Sequence, residues 1–358
     1  MNTINYIKAI HVHNCYASQD FEIDFSPQAG ESFQHLILTG KNGSGKTTIL
    51  NKLDNALRNN EINNPQVKII STQKHEKLLG EALYHYLTVE RNTAILKVKG
   101  PKKMESIYLE TPLSQFLVQF LVNKKTEQAY AYQDGDEQVV KQIEQWFNQF
   151  EHQLKFLFDN ADLCLKFNRR EFNFYIQLPK QTCFDFNQLS HGYAQVISII
   201  AEILIAKDSK WLYSNNPPGI ILIDEIENHL HLELQEKILP FLTTTFPQIQ
   251  FIVATHSPAV IASINNATIY DLSKHRTVNE NLTGIPYHVL MKSHFGIESE
   301  YSRVATDKLK KAKALIQKGD ERTFDDNEAL RKLARELDEL SPDLSLDIFL
   351  ELERQKKP

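Results

Sequence analysis

The sequence predicts an α/β protein whose main β-sheet is largely parallel and is covered by helices on both faces. Short apolar runs at 36–38, 220–223 and 250–254 are each followed by a polar turn and then by a helical pattern. Strands that alternate with helices are typical of parallel sheets. An N-terminal antiparallel β layer, an inserted α+β lobe at 74–186 and a charged helical tail at 300–358 complete the predicted architecture.

The composition is that of an ordinary globular protein. The 358 residues are 42% hydrophobic and 24% charged, and a net charge of −5 gives no overall attraction to nucleic acid. The cysteines, Cys15, Cys164 and Cys183, lack the spacing of a disulfide frame or a zinc site, which indicates a reducing compartment. There is no leader pattern, and the longest apolar run, 196–206, is too short to span a bilayer. We therefore expect a cytoplasmic protein without membrane contact.

The N-terminal segment, residues 1–73, is interpreted as the first part of the core. Apolar residues alternate along 4–13 and 21–25, which predicts two antiparallel strands ahead of the first buried strand. A helix is expected to follow that buried strand and to end near Arg58, and the pattern of Val67–Ile70 predicts a further strand.

The segment GKNGSGKT, residues 40–47, lies between the predicted buried strand and this helix. Its three glycines allow backbone N–H groups to converge on an anion, and the helix directs its positive end to the same point. In such a loop Lys46 reaches the β- and γ-phosphates and the Thr47 hydroxyl binds Mg²⁺. A surface turn rich in glycine and serine is the alternative, and it leaves the lysine unexplained. The ATP-binding candidates are Gly40, Asn42, Gly43, Ser44, Gly45, Lys46, Thr47 and Thr48.

Residues 74–186 are the least regular part of the chain and are interpreted as the inserted lobe. Helical periodicity is clear at 113–122 and 137–157. The strand candidates are a hairpin at 83–90 and 93–99 around Arg91-Asn92, a strand at 104–109, and a hairpin at 164–167 and 172–178.

Residues 187–299 are interpreted as the second part of the core, and residues 300–358 as the tail. The core elements are helices at 193–207, about 229–244 and after Pro258, and strands at 220–223, 250–254 and 267–270. The tail predicts two or three amphipathic helices, lined first by Leu309, Ala312, Leu315 and Ile316 and then by Leu330, Leu333, Leu337 and Leu340. These stripes could cover the core, dock a partner or form a dimer contact.

The run GIILIDE, residues 219–225, is an apolar strand that ends in two acids. Next to a phosphate loop, Asp224 would hold Mg²⁺ through water and Glu225 would act as the base that polarises the attacking water. Carboxylates suit both roles, because the metal is a hard cation and the water must lose a proton. An acidic pair is also common at a helix N-terminus, but the upstream loop favours the catalytic interpretation.

Two further segments place polar residues before a helix. His256, in FIVATHSP, lies at the carboxyl end of a strand, where it could bond the γ-phosphate and orient water, while Ser257 predicts a helix cap. Ser190 and Gly192, in LSHGY, could present a hydroxyl and a helix N-terminus to an anion. Taken alone, a plain N-cap is the simpler explanation of LSHGY.

In their order along the chain, the segments 40–47, 189–193, 219–225 and 251–258 together resemble the ABC-type ATPase superfamily. The opening IKAIHVHNCYASQDFEIDF and the phrase IILIDEIENHLHLELQ are similar to its soluble branch, which includes RecF, the SMC proteins and the OLD-like ATPases. The phrasing DEI-x-x-HLH, the THSP turn and the charged tail together resemble the PtuA-like ATPases of Septu and retron anti-phage systems. The likeness covers 1–58 and 187–300 well, the tail loosely and the lobe hardly at all.

The resemblance implies an ABC-type phosphate-loop NTPase head with ATP and Mg²⁺ as cofactors. LSHGY looks like a degenerate form of the signature Leu-Ser-Gly-Gly-Gln, from which His191 and Tyr193 depart. In that superfamily the signature of one protomer contacts ATP held by another. Ser190, His191 and Gly192 would therefore act in trans, in a homodimer or a higher even oligomer. A glutamine after the third core strand usually helps to bind Mg²⁺, and Gln73 is the candidate, with a solvated loop residue as the alternative.

The resemblance also implies a role as sensor or regulator in an anti-phage complex with a separate effector, often an HNH or TOPRIM nuclease. The sequence itself shows no His-Asn-His cluster with metal spacing. Two other functions stay open. One is a RecF/SMC-like repair ATPase that clamps DNA itself, and the other is a structural scaffold that binds ATP with little turnover.

Two local features have competing interpretations. The basic clusters LKVKGPKK, residues 96–103, and Arg169-Arg170 could contact nucleic-acid phosphates, although a solvated hairpin face is more common. His229 and His231 with nearby acids could suggest a metal cluster. Two residues apart on a helix they would point to different faces, which favours a dimer-contact loop.

Overall fold

The computed structural model describes residues 6–13, 20–72, 82–102, 112–210, 218–278 and 303–340, with a few isolated positions between the last two ranges. The chain divides into two compact units, residues 1–285 and 286–358. Within the described ranges, no helix combines the length and the apolar character needed to cross a bilayer.

The first unit is built on a six-stranded sheet, which confirms the predicted α/β class. Five neighbouring strands are parallel to one another, and the sixth, the edge strand formed by residues 276–278, is antiparallel to its neighbour. In spatial order they are β12 (Arg276–Val278), β11 (Ala267–Asp271), β3 (His35–Thr39), β10 (Ile249–Ala254), β9 (Gly219–Ile223) and β5 (Leu83–Leu87). The central strands β3, β9 and β10 are buried along their whole length, as expected for a sheet covered on both faces.

A three-stranded antiparallel sheet packs against this central sheet. Its order is β2 (Phe21–Asp24), β1 (Ile7–Val12), β4 (Val67–Ser71), and helix α1 (Lys46–Arg58) shares its core. The predicted antiparallel strands and the end of α1 at Arg58 are confirmed. The strand before Gln73 is not a core strand, because β4 pairs with β1 in the antiparallel sheet. Gln73 itself lies outside the described residues, so its role in binding Mg²⁺ stays a prediction.

The predicted hairpin at 83–99 is also wrong. Its first half, β5, is a parallel edge strand of the central sheet, and residues 88–98 form no strand. The apolar character of 83–87 fits both arrangements, because an edge strand beside β9 is half-buried just as a hairpin strand is. The strand predicted at 104–109 lies outside the described residues.

The remaining lobe elements agree with the sequence pattern. Helix α2 (Leu117–Asp134) is longer than predicted, α3 (Glu137–Leu157) has the predicted bounds, and Asp136 caps α3 by accepting from the Val139 N–H. Strands β6 (Cys164–Asn168) and β7 (Asn173–Gln177) form the predicted hairpin, extended by β8 (Phe184–Asp185).

Three helices complete the first unit: α4 (His191–Lys210), α5 (Leu232–Thr245) and α6 (Pro258–Ile261). Helix α5 begins three residues later than predicted, because Glu225 and His229 adopt left-handed backbone angles, with φ of 43° and 61°. Residues 225–230 therefore form a turn, and His229 and His231 precede the helix.

In the described part of the second unit, two helices pack together, α7 (Arg303–Gln317) and α8 (Phe324–Leu340). Leu309, Ala312 and Ile316 of α7 pack with Leu330 and Leu337 of α8, as the leucine stripes predict. Leu340 is the exception, since 53% of its surface is exposed.

Candidate functional site

The predicted site segments meet at one edge of the central sheet. The register places Ala254 beside Leu38, and Val253 beside Ile223. Because β3, β9 and β10 are parallel, the residues that follow them lie side by side. These are the loop 40–47, the acidic pair and His256.

The loop 40–47 has the backbone that its glycines predict. Gly40, Gly43 and Gly45 have φ of 131°, 79° and 98°, a region that residues with a Cβ rarely adopt. Gly45 is the N-cap of α1 and no side chain caps this helix, so its first N–H groups face the loop. At Gly40 a Cβ would meet the Ser273 Oγ at 2.7 Å, and that Oγ accepts the Lys41 N–H at 2.6 Å. The turn after β11 thus braces the loop.

Lys46 is a buried cation held by the loop itself. It is 6% exposed, and its Nζ donates to the carbonyl oxygens of Gly40 at 3.0 Å and Lys41 at 3.2 Å. Burial lowers the pKa of Lys46 below its usual value, and the charges of Glu227, Asp224 and Glu225 oppose that change. The ammonium group is therefore near these three acidic side chains, but it donates its hydrogen bonds to backbone carbonyl groups.

Asp224 is a buried carboxyl group at the end of β9. It is 1% exposed, and neither carboxylate oxygen accepts a hydrogen bond of normal geometry from the described residues. Burial raises the pKa of Asp224, and the nearby Thr47 hydroxyl partly opposes the rise. A desolvated carboxylate beside a hydroxyl is a ligand set that suits a hard cation, so Asp224 and Thr47 fit Mg²⁺.

Glu225 and His256 lie at the same edge but are less buried than Asp224. Glu225 has a left-handed backbone, with φ of 43°, which is costly for a residue with a side chain. Burial lowers the pKa of His256, and the Lys46 charge adds to the effect. The imidazole is therefore neutral at pH 7. The alternative interpretation of this turn also holds, since Ser257 caps α6 by accepting from Ala259 and Val260.

Glu227 is a site residue that the sequence patterns did not reveal. Its carboxylate accepts the Thr255 hydroxyl at 2.7 Å and the His256 backbone N–H at 2.5 Å. It joins the turn after the acidic pair to the turn that carries His256, and its charge is the first of those that support Lys46. Only its place two residues after Glu225 could have drawn attention to it.

The segment 189–193 starts α4, with the Ser190 carbonyl accepting the Ala194 N–H at 2.9 Å. Ser190 and His191 are exposed. Gly192 is buried, and a Cβ there would lie 3.2 Å from Leu234 and 3.4 Å from the His229 carbonyl. The His191 and His229 rings are 4.5 Å apart, and Tyr193 stacks on Phe158 at 4.4 Å. The segment therefore rests on the turn after the acidic pair and on the end of α3.

The other candidates separate into different regions. His229 lies in a turn and His231 is the N-cap of α5, so the helix-face argument about them loses its basis. The described ranges contain no cluster of three or more His, Cys, Asp or Glu suited to a metal. Lys97, Lys99 and Lys102 are exposed on an irregular segment, and Arg169-Arg170 are exposed in the β6–β7 turn, while Lys103 falls outside the described residues.

Comparison with known proteins gives a family and several relatives. The family model described as "AAA domain, putative AbiEii toxin, Type IV TA system" matches residues 72–262, more than half of the chain. The Septu protein PtuA of Bacillus mycoides (strain KBAB4) is 25% identical over 291 residues, which cover 71% of this chain and 38% of that protein. The retron Ec83 probable ATPase of Escherichia coli is 46% identical over 88 residues, which cover 23% of this chain and 16% of that protein.

Among solved structures, an SMC head bound to the C-winged helix domain of ScpA has a TM-score of 0.42 and 16% identity, over 74% of this chain and 94% of that chain. The Septu and retron relatives confirm the predicted resemblance to PtuA-like defence ATPases. The chain spans less than half the length of either relative.

Proposed function

This chain belongs to the AAA domain family matched over residues 72–262, and from that premise we propose that it is a Mg²⁺-dependent ATPase of the ABC type. We further propose that ATP closes a head-to-tail dimer and that the protein serves as sensor or regulator in an anti-phage complex. The observation that carries the proposal is a pair of buried, opposite charges, Lys46 at the start of α1 and Asp224 at the end of β9.

Burying a charge without a charged partner in direct contact is costly unless a ligand uses it. Among the described residues, Lys46 bonds only to the loop carbonyls and Asp224 accepts no hydrogen bond of normal geometry. A nucleotide phosphate would satisfy the lysine and the converging N–H groups of the loop 40–47. Mg²⁺ held by Thr47 and Asp224 would neutralise the charge that develops on the phosphate oxygens.

The remaining residues would supply the chemistry of ATP + H₂O to ADP + phosphate. Glu225 would accept a proton from the attacking water as the water oxygen bonds to the γ-phosphorus, while the bond from that phosphorus to the β–γ bridging oxygen breaks and ADP leaves. Neutral His256 donates a hydrogen bond to the γ-phosphate or to the water, and Glu227 fixes the backbone that carries it. Ser190, His191 and Gly192 would contact the γ-phosphate held by the second protomer.

The defence role is supported by the Septu and retron relatives. The effector would be a separate protein, with an HNH or TOPRIM nuclease as the expected class. Recovery of tagged protein from its native operon tests this part. A co-purifying nuclease that changes activity with ATP supports it, whereas nucleic acid with no protein partner favours the DNA-clamp function.

The ATPase proposal is tested by Glu225→Gln in the full chain. We expect turnover to fall by about 10²–10⁴-fold, the usual contribution of a general base, while ATP binding persists. Glu233→Gln is the matched control, because Glu233 is an exposed acid on α5 that pairs with Lys237. Phosphate release with Mg²⁺ and with EDTA is the measurement. Equally slow turnover in wild type and Glu225→Gln would contradict the proposed ATP hydrolysis. It would support a structural scaffold that binds ATP with little turnover.

A further inference from the structure

Arg91 reaches the backbone of the acidic pair from the irregular segment after β5, where the sequence patterns predicted the turn of a hairpin. It follows β5, the parallel neighbour of β9, so it emerges at the same sheet edge as Asp224. Its Nη2 donates to the backbone carbonyl of Asp224 and, at 3.3 Å, to that of Glu225. One guanidinium group therefore binds the backbone of both acids.

The charge of Arg91 is costly to place there. Burial lowers its pKa to about 10, and Asp224, Glu227 and Glu225 oppose that change, so Arg91 is a cation at neutral pH. Its Nε and Nη1 are shielded from solvent and have no hydrogen-bond partner among the described residues.

The backbone that Arg91 holds is the strained one. Glu225 has φ of 43°, a conformation that surrounding contacts must maintain. Because the two carbonyl groups flank the Cα of Glu225, binding both restricts rotation of the peptide units on either side. The direction of the Glu225 side chain is set by those peptide units.

Asn92, the residue next to Arg91, is held by neighbouring elements. The Ser114 hydroxyl donates to the Asn92 carbonyl at 3.0 Å, and the Ser114 N–H donates to the buried Glu202 carboxylate of α4 at 2.8 Å. The other oxygen of Glu202 lies 3.0 Å from the His85 Nε2 on β5. These hydrogen bonds connect β5 and α4, through Glu202 and Ser114, to Asn92.

We propose that Arg91 is a positioning residue for ATP hydrolysis, which fixes the acidic pair by binding its two backbone carbonyl groups. The inference rests on the proposed ATPase function. It assigns a role to a residue outside the phosphate loop, the acidic pair, the signature and the histidine turn.

The test uses the full chain with MgATP and the variants Arg91→Ala and Arg91→Lys. We expect Arg91→Ala to lower kcat by about tenfold or more and to change KM by less than about twofold. Arg91→Lys should recover only part of the rate, because an ammonium group cannot reproduce the planar fork. Millimolar guanidinium should restore activity to Arg91→Ala, and methylammonium should not. Arg170→Ala, at an exposed arginine, is the control.

Two measurements separate positioning from a general loss of folding. In a Glu225→Gln background, Arg91→Ala should cause little further loss in single-turnover rate, since both act through the same carboxylate. A full additional loss, or a raised KM with unchanged kcat, would overturn the proposal. Hydrogen exchange of amides 224–228 in the nucleotide-free protein gives a result even if the wild type does not hydrolyse ATP. Faster exchange in Arg91→Ala is expected, and unchanged exchange would overturn the proposal independently of the ATPase function.

Discussion

Lys46 and Asp224, on the phosphate-loop side of the proposed site, are 6% and 1% exposed, whereas Ser190 and His191 of the signature segment are exposed. The first side is assembled from the ends of three adjacent parallel strands, whose register fixes every group. The second side is the start of one helix resting on the turn that contains His229. The first side thus holds two desolvated charges within a single chain, while the second side has exposed polar groups at the start of a helix.

This difference in exposure predicts separate roles for the two sides, in ATP binding and in dimer formation. Desolvated charges bind phosphate and metal strongly, because little water competes for them. Exposed groups at a helix N-terminus gain strength only when a second surface excludes the water around them. We therefore expect changes on the loop side to act on ATP binding, and changes in the signature segment to act on the dimer.

The largest expected effect comes from breaking each side in a different protomer. Lys46→Ala should abolish ATP binding, and Ser190→Arg should block the trans contact, so each homodimer should be inactive. In an equal mixture about half of the dimers are mixed, and each has one intact composite site, so activity should return to about a quarter of wild type. ATPase assays of the single variants and of the mixture measure this.

Lys41→Ala, at an exposed lysine of the same loop, is the control for Lys46→Ala. A mixture as inactive as its components would contradict sharing of sites between protomers. Full activity of Ser190→Arg alone would contradict any role for the signature.

A smaller effect is expected from Glu227→Gln, which keeps the shape of the side chain. The amide oxygen can still accept the His256 N–H and the amide NH₂ can donate to the Thr255 hydroxyl, but both bonds lose the charge of the carboxylate. A hydrogen bond to a charged group is worth about 1 kcal/mol more than a neutral one, so hydrolysis should slow by roughly fivefold. Steady-state kinetics, with ATP affinity measured separately, would show whether the turn acts on the rate. An unchanged kcat would show that Glu227 has no role in ATP hydrolysis.

The smallest expected effect is on thermal stability, which Asp224→Asn should increase rather than decrease. The pKa of Asp224 is raised in the folded protein, chiefly by burial, so the native state holds this proton more tightly than the unfolded chain. Stability is therefore lost as pH rises from the unfolded pKa through the native one, and the loss persists at pH 7. Asp224→Asn removes the charge, so we expect a Tm a few degrees higher at pH 7 without nucleotide, and a smaller gain near pH 4.

Each unit of pKa shift corresponds to about 1.4 kcal/mol, which sets the scale of this gain. Asp162→Asn, at an exposed acid, should leave Tm unchanged. The Asp224 variant should also lose Mg²⁺-dependent turnover. A lower Tm in Asp224→Asn would show that the buried charge stabilises the fold.

Local patterns in the sequence were sufficient for much of the site. The loop 40–47, the acidic pair and His256 each follow an apolar strand directly, so their chemistry and their position at a strand end are set by neighbouring residues. The antiparallel N-terminal strands and α3 are determined in the same way, by strict alternation and by helical spacing.

Other features depended on contacts between distant parts of the chain. Leu83–Leu87 could pair in a hairpin or beside β9, and only packing against the whole sheet decides between them. Glu227 bonds Thr255 across 28 positions, and Arg91 bonds the Asp224 carbonyl across 133. Sequence spacing carries no information about such pairs. The sequence by itself determined which groups could bind a nucleotide, and the tertiary structure decided which residues hold them in place, because parallel strands distant in sequence end at the same edge of the sheet.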